Sequence, residues 1–240
     1  MRSGSELKVG CCGFAGSQAD YFQVFKLIEI QSTFYQLPEL KTAGRWRRSA
    51  PASFEFTLKA WQLITHTSNS PTYRHLRDKI GSAMLDHYGS FQPTYEVFEA
   101  WERTARFACT LGAKVVLFQC PASFTPVDIH ITNMRGFFSH IDRQGLSLAW
   151  EPRGAWPYEL IGQICEDLKL IHCVDPFKNH PWPGKFLYFR LHGIDRYGYR
   201  YSDADLTRLL AWVKDRPGYV LFNNVWMKED AQRFIQMAEI

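Results

Sequence analysis

The sequence is poor in the features that mark most large functional classes. It has no apolar run near the roughly 18 residues that cross a bilayer. Its opening residues, MRSGSELK, carry charge but no apolar h-region, so a cytoplasmic chain without membrane contact is expected. The six cysteines (Cys11, Cys12, Cys109, Cys120, Cys165, Cys173) include no CxxC pair and no ligand-like spacing. Most lie in apolar runs, where cysteine acts as a small hydrophobe, and Cys11 and Cys12 in a strand would face opposite ways. No H-x-H or H-E-x-x-H marks a metal centre, and Gly10–Gly13 lacks the GxGxxG spacing of a dinucleotide loop. The net charge of +4 tolerates an anionic ligand, without the excess that marks a nucleic-acid-binding domain.

What is present is a rhythm. The length of 240 residues, 46% hydrophobic, suffices to bury a sizeable core. Short apolar runs recur and stop at polar residues: Leu7–Cys12, Leu27–Ile30, Phe54–Leu58, Lys114–Phe118, Leu146–Trp150, Leu170–Val174, Phe186–Leu191 and Tyr219–Phe222. Each reads as a buried strand. Between most of them lie helical patterns. In Tyr95–Leu111 the residues Val97, Trp101, Ala105 and Ala108 form one stripe. Met134, Phe138 and Ile141 give a second face, and Tyr158–Leu168 a third, with Pro157 suited to its first turn. Ser202 and Asp205 resemble a capping box. The proline-bearing loop Pro176–Pro183 is too short for a crossover helix. Eight strands at this spacing predict a single (β/α)8 TIM-barrel-like domain over residues 1–240, lacking the helix between strands six and seven. An open doubly wound sheet is the structural alternative.

A barrel of this kind gathers the C-terminal ends of its strands on one face. That face would collect Glu29, Lys59, Gln119, Glu151, Arg153, Asp175, Arg190, His192, Asn223 and Asn224, with Tyr35 and His66 from the loops. Three chemistries fit. Lys59, Arg153, Arg190 and His192 could clamp a phosphate. Glu29 and Glu151 could act as an acid–base pair on a sugar, which for a glycosidase needs a separation of roughly 5–9.5 Å. Glu29, His66, Glu151, Asp175 and His192 could ligate a divalent metal, although no spacing motif supports one. The bland alternative is an ion-pair network that neutralises itself. The remaining histidines, His172 and His180 among them, read as surface or structural.

Five stretches in order, IEIQSTFYQLP (Ile28–Pro38), FTLKAWQLITH (Phe56–His66), EPRGAW (Glu151–Trp156), YFRLHG (Tyr188–Gly193) and YVLFNN (Tyr219–Asn224), closely resemble the YecE-like domain-of-unknown-function family. The resemblance spans nearly the whole chain and implies a TIM-barrel-like fold. It puts Glu29, Lys59, His66, Glu151, Arg153, Arg190, His192 and Asn223 on the family's motif positions. It also implies kinship with the endonuclease IV and xylose isomerase barrels, which is fold-level analogy. Gln31 departs from the asparagine common there.

Three functional expectations follow. The first is a pocket for a phosphate-bearing ligand, extended to a phosphodiester hydrolase acting on nucleic acid. Glu29, Glu151 and His192 would be catalytic; Tyr35, Lys59, His66, Gln119, Arg153, Asp175, Arg190, Asn223 and Asn224 would bind. Arg190→Glu would then abolish binding and leave the fold intact. The second is a non-catalytic nucleic-acid-binding protein using Trp182 and the Arg196–Tyr201 run for stacking. Sugar isomerase or glycosidase chemistry is a third. Oligomeric state is not legible.

Overall fold

The computed structural model describes residues 6–239, so most of the MRSGSELK segment on which the leader was judged lies outside the described residues. Eight parallel strands close into a barrel in chain order: β1 Leu7–Cys11, β2 Leu27–Ile30, β3 Glu55–Lys59, β4 Ala113–Gln119, β5 Ser147–Glu151, β6 Ile171–Val174, β7 Leu187–Leu191 and β8 Gly218–Phe222. β8 pairs back onto β1 from Leu7↔Gly218 to Cys11↔Phe222, which leaves no free edge. The open doubly wound sheet is therefore excluded.

Nine α-helices are described: α1 Gln18–Val24, α2 Ser32–Tyr35, α3 Leu40–Ser49, α4 Gln62–Thr65, α5 Tyr95–Leu111, α6 Asp128–His140, α7 Tyr158–Asp167, α8 Asp203–Val213 and α9 Met227–Ala238. None is long and apolar enough to cross a membrane. The α5 stripe faces inward as its periodicity predicts, with Val97, Trp101, Ala105 and Ala108 all buried. Thr94 caps its start and Gly112 ends it in the left-handed region. The Ser202–Asp205 capping box opens α8 as expected. Pro157 sits at the N-cap of α7, one place earlier than expected.

Alternation along the strands builds two cores. Residues facing outward (Ile28, Phe56, Leu58, Val116, Phe118, Leu148, Phe189) join the helices in one large cluster. Residues facing inward (Leu27, Val115, Leu117, Ala149, Cys173, Tyr188, Leu221) fill the barrel. Cys11 and Cys12 divide as predicted: Cys11 Sγ points to the Met227 carbonyl, whereas Cys12 Sγ reaches Glu29 inside the barrel. All six cysteines are free. Gly10 packs so tightly that a Cβ there would lie 2.1 Å from the Leu27 carbonyl oxygen. The close approach is to the backbone of the neighbouring strand β2.

Residues 175–186, between β6 and β7, carry no helix, in line with the expectation. Trp182 covers the outside of the barrel in its stead. Its backbone N–H donates to His172 Nδ1 at 3.0 Å and its indole N–H to Glu166 Oε1 at 2.9 Å. The indole lies on the helix α7 where only glycine fits: a Cβ at Gly162 would be 2.1 Å from the ring. Gly162→Ala should therefore destabilise the fold by about 1–3 kcal/mol through overpacking. In a Trp182→Ala background the same substitution should stabilise by about 0.5–1 kcal/mol, because alanine is the better helix former. A double-mutant cycle by urea denaturation checks the reversal of sign.

Candidate functional site at the barrel mouth

The inward positions at the C-terminal strand ends are charged because period-two alternation carries them there from the apolar interior. Arg190, on β7, is the hub. It is 1% exposed, its Nε donates to Glu29 Oε1 at 3.0 Å and its Nη1 donates to Glu151 Oε2 at 2.5 Å. Gln119 Oε1 accepts from the same Nη1 at 3.3 Å. Burial works against the guanidinium charge, but Glu151 and Glu29 outweigh it and raise the Arg190 pKa.

The two glutamates differ in access. Glu29 is fully buried, and besides Arg190 it accepts from Tyr188 Oη at 2.6 Å, from Gln31 Nε2, and from Cys12 Sγ at 3.4 Å. Its lone pairs are committed inside the barrel. Glu151 faces the mouth and also takes Arg153 Nη2 at 3.0 Å and Nε at 3.2 Å. Burial pushes the Glu151 carboxyl up, yet Arg190, Arg153, His192 and Lys59 together hold it at about 2.

His192 lies between an acid and a base. Its backbone N–H donates to Asp175 Oδ2 at 3.0 Å, and its Nδ1 stands 3.5 Å from the same oxygen. Its Nε2 accepts from Arg153 Nη2 at 2.8 Å. An Nε2 that accepts places the imidazole proton on Nδ1, toward Asp175, by hydrogen-bond assignment.

Lys59, at the end of β3, is the exception among these charges. It is 5% exposed and has no carboxylate partner among the described residues; its Nζ lies 3.8 Å from the centroid of the Phe34 ring. Desolvation and then the charge of Arg190 lower its pKa to about 7, against the opposing pull of Glu151 and Glu29. At the opposite end of the barrel, Lys8 is paired to Glu55 at 2.8 Å.

The other expected residues divide. Tyr35 stands exposed at the rim and Asn223 is half-buried there. His66 is buried beside Phe34, with Nδ1 2.8 Å from Thr65 Oγ1; burial, then Lys59 and Arg153, depress its pKa to about 3. Asn224 does not join the cluster. The alternation that turns Leu221 inward turns it outward, and its Nδ2 holds Asp230 Oδ2 and the Tyr199 carbonyl, both at 2.8 Å. The Arg196–Tyr201 run is no stacking platform either. Tyr201 is buried with its hydroxyl accepting from Gly193 N, and Tyr199 donates to Asp205, which leaves Tyr197 exposed. Trp182 is spent on α7.

The sequence reading missed Gln31 and Tyr188 as partners of Glu29. Both sit two residues from a charged strand-end position, so the same alternation would have found them. It also missed the cleft of about 1010 Å³ beside the helix-free loop. Arg153, His172, Lys178, His180 and Arg196 line that cleft together with Glu151, Asp175 and His192. His172 thus joins its wall, its Nδ1 accepting from Trp182 and its pKa pushed to about 4 by burial.

A divalent metal fits this arrangement poorly. Among the described residues no three His, Cys, Asp or Glu side chains converge as a ligand set, and the Arg190 guanidinium stands between Glu29 and Glu151. The same cation stands between the two carboxylates that glycosidase chemistry would have used on a sugar.

No curated protein matches the chain. Among solved structures, a DUF72 family protein from Enterococcus faecalis superposes with a TM-score of 0.76 at 17% identity, covering 100% of both chains. A DUF72 family protein from Thermotoga maritima gives 0.71 at 20% identity, covering 98% of this chain and 99% of that one. A D-psicose 3-epimerase gives 0.59 at 12% identity, covering 97% and 98%, a likeness of barrel alone. The protein family described as "Protein of unknown function DUF72" matches residues 17–240. That match agrees with the YecE-like motifs along the strands and with the closed barrel, and on this evidence the chain belongs to the DUF72 family.

Proposed function

We propose that the barrel mouth and the cleft beside it bind a small phosphate-bearing molecule. The observation that carries this reading is a surplus of unpaired cations. Arg190 is consumed by Glu29 and Glu151, whereas Lys59, Lys178 and Arg196 have no carboxylate partner among the described residues. Of the acids of the cleft, Asp195 has no ion-pair partner among the described residues and Asp175 holds only His192 and backbone N–H groups. Arg153 adds a half-exposed donor: its side chain is 39% exposed and divided between Glu151 and His192. A phosphate arriving from solvent would draw Arg153, Lys178 and Arg196 to its oxygens.

The expected catalytic roles change in this reading. Glu29 is sealed from any ligand, and a carboxyl held near 2 is a weak base at neutral pH, so both glutamates serve to fix Arg190. His192, oriented by Asp175, is the group able to take a proton once Arg153 turns to the ligand. Phosphodiester hydrolysis would use His192 on a water. The anchored tyrosines favour a small molecule over nucleic acid as the phosphate source.

Isothermal titration with inorganic phosphate and with ribose 5-phosphate tests the proposal. Binding should weaken with salt, and Lys178→Ala/Arg196→Ala should lose about tenfold or more, roughly 1.4 kcal/mol. Unaltered affinity in the folded double variant would overturn it.

A further inference from the structure

We infer that Lys59 is a nucleophile, its amine forming a Schiff base with an aldehyde or ketone group on the phosphate-bearing ligand. The inference rests on the anion-binding reading for its substrate class and on separate observations for its chemistry.

A lysine buried for structure is normally paired; even the half-buried Lys8 at the other end of this barrel pairs with Glu55. Lys59 has no such partner among the described residues. It projects from the C-terminal end of a barrel strand, where this architecture keeps its chemistry. Its amine lies on the Phe34 ring, and the neighbouring Thr33 Oγ1 donates to the Lys59 main-chain carbonyl at 2.7 Å, which ties the Phe34 segment to the end of β3. The charged groups that act on it are Arg190 on β7, Glu151 and Arg153 at the end of β5, and Glu29 on β2, with His66 beyond Phe34. Arg190 stands between Lys59 and a full ion pair by occupying both glutamates. Desolvation next to cations is how an amine is kept unprotonated and nucleophilic, and Lys59 is shifted to about 7.

The step balances without a further reagent. The nitrogen lone pair attacks the carbonyl carbon, the C=O π pair moves to oxygen, and the proton released from nitrogen reaches that oxygen through water. The carbinolamine then expels water as the C=N bond forms. One water leaves for each imine, with no change of oxidation state.

The experiment is reductive trapping. The protein is incubated at neutral pH with glyceraldehyde 3-phosphate or with unphosphorylated glyceraldehyde, reduced with borohydride, and mapped by peptide mass spectrometry. Lys59 should be labelled about tenfold or more faster than the solvated Lys41. The rate should rise through about pH 7, and excess inorganic phosphate should slow labelling by the phosphorylated aldehyde. Lys59→Met and Lys59→Arg should both lose the adduct. Equal labelling of Lys59 by the two aldehydes would uphold the nucleophile and sink the phosphate reading. Lys59 labelled no faster than Lys41 by either aldehyde would overturn the inference, whatever the phosphate titration gives.

Discussion

Arg190→Met is expected to destabilise the protein by about 3–5 kcal/mol, because it strands two buried carboxylates. The methionine side chain can fill most of the volume, so the loss is electrostatic. Glu29 keeps the Tyr188 hydroxyl and Gln31 but has no other cation within salt-bridge reach among the described residues, and Glu151 keeps Arg153. Arg190→Glu, which the sequence suggested would spare the fold, would bury a third carboxylate against these two and should be worse. The pH dependence separates lost charge pairing from lost packing. In the parent protein Glu151 has a folded pKa of about 2 against an ordinary 4.5. Its contribution is present above the ordinary value and lost as pH falls through the folded one. In Arg190→Met the stranded carboxylates lose that pairing, so protonation relieves them and the gap to the parent narrows as pH falls. Urea denaturation at several pH values measures that gap. A constant gap, or a loss under about 1 kcal/mol, would show that Arg190 is held by packing alone.

Lys59→Met should act in the opposite direction and stabilise the protein by roughly 2–4 kcal/mol below about pH 6. The sign follows from the depressed pKa. Below about 7 the folded chain must carry the Lys59 charge in a desolvated place, and the cost is complete. Between about 7 and the ordinary 10.5 the folded lysine has lost its proton while the unfolded one keeps it, so the parent gains stability with rising pH. The advantage of methionine should therefore shrink across that window, and thermal melts of the two proteins at paired pH values measure it. A methionine variant less stable than the parent at every pH would mean that Lys59 has an ionic partner in solution. Stability gained by removing a residue is what a functional group held against its environment predicts.

The barrel was legible because its strands are short apolar runs that stop at charged residues, a pattern that needs no long-range information. Glu29, Lys59, Glu151 and Arg190 were legible as strand-end charges for the same reason. How they pair was not, since Arg190 meets Glu29 across 161 positions of sequence. Asn224 was misplaced because adjacent residues past a strand end were treated alike, although alternation sends them to opposite sides. The tyrosines of the 196–201 run look like an exposed platform in sequence; only the fold brings Asp205 and the Gly193 amide to their hydroxyls. The cleft had no sequence signature beyond the missing helix that borders it.

The pairing of β1 with β8 has a consequence for synthesis on the ribosome. The strand Leu7–Cys11 is made more than 200 residues before its outer partner, Gly218–Phe222. Until then a nascent chain leaves the outer edges of β1 and β7 unpaired, since both close onto β8. Such edges recruit other chains, so the growing polypeptide is exposed to aggregation until β8 is made and closes through contacts of very high sequence separation. Holding chaperones that shield the β1 edge should therefore raise the yield of native protein more than any substitution at the mouth.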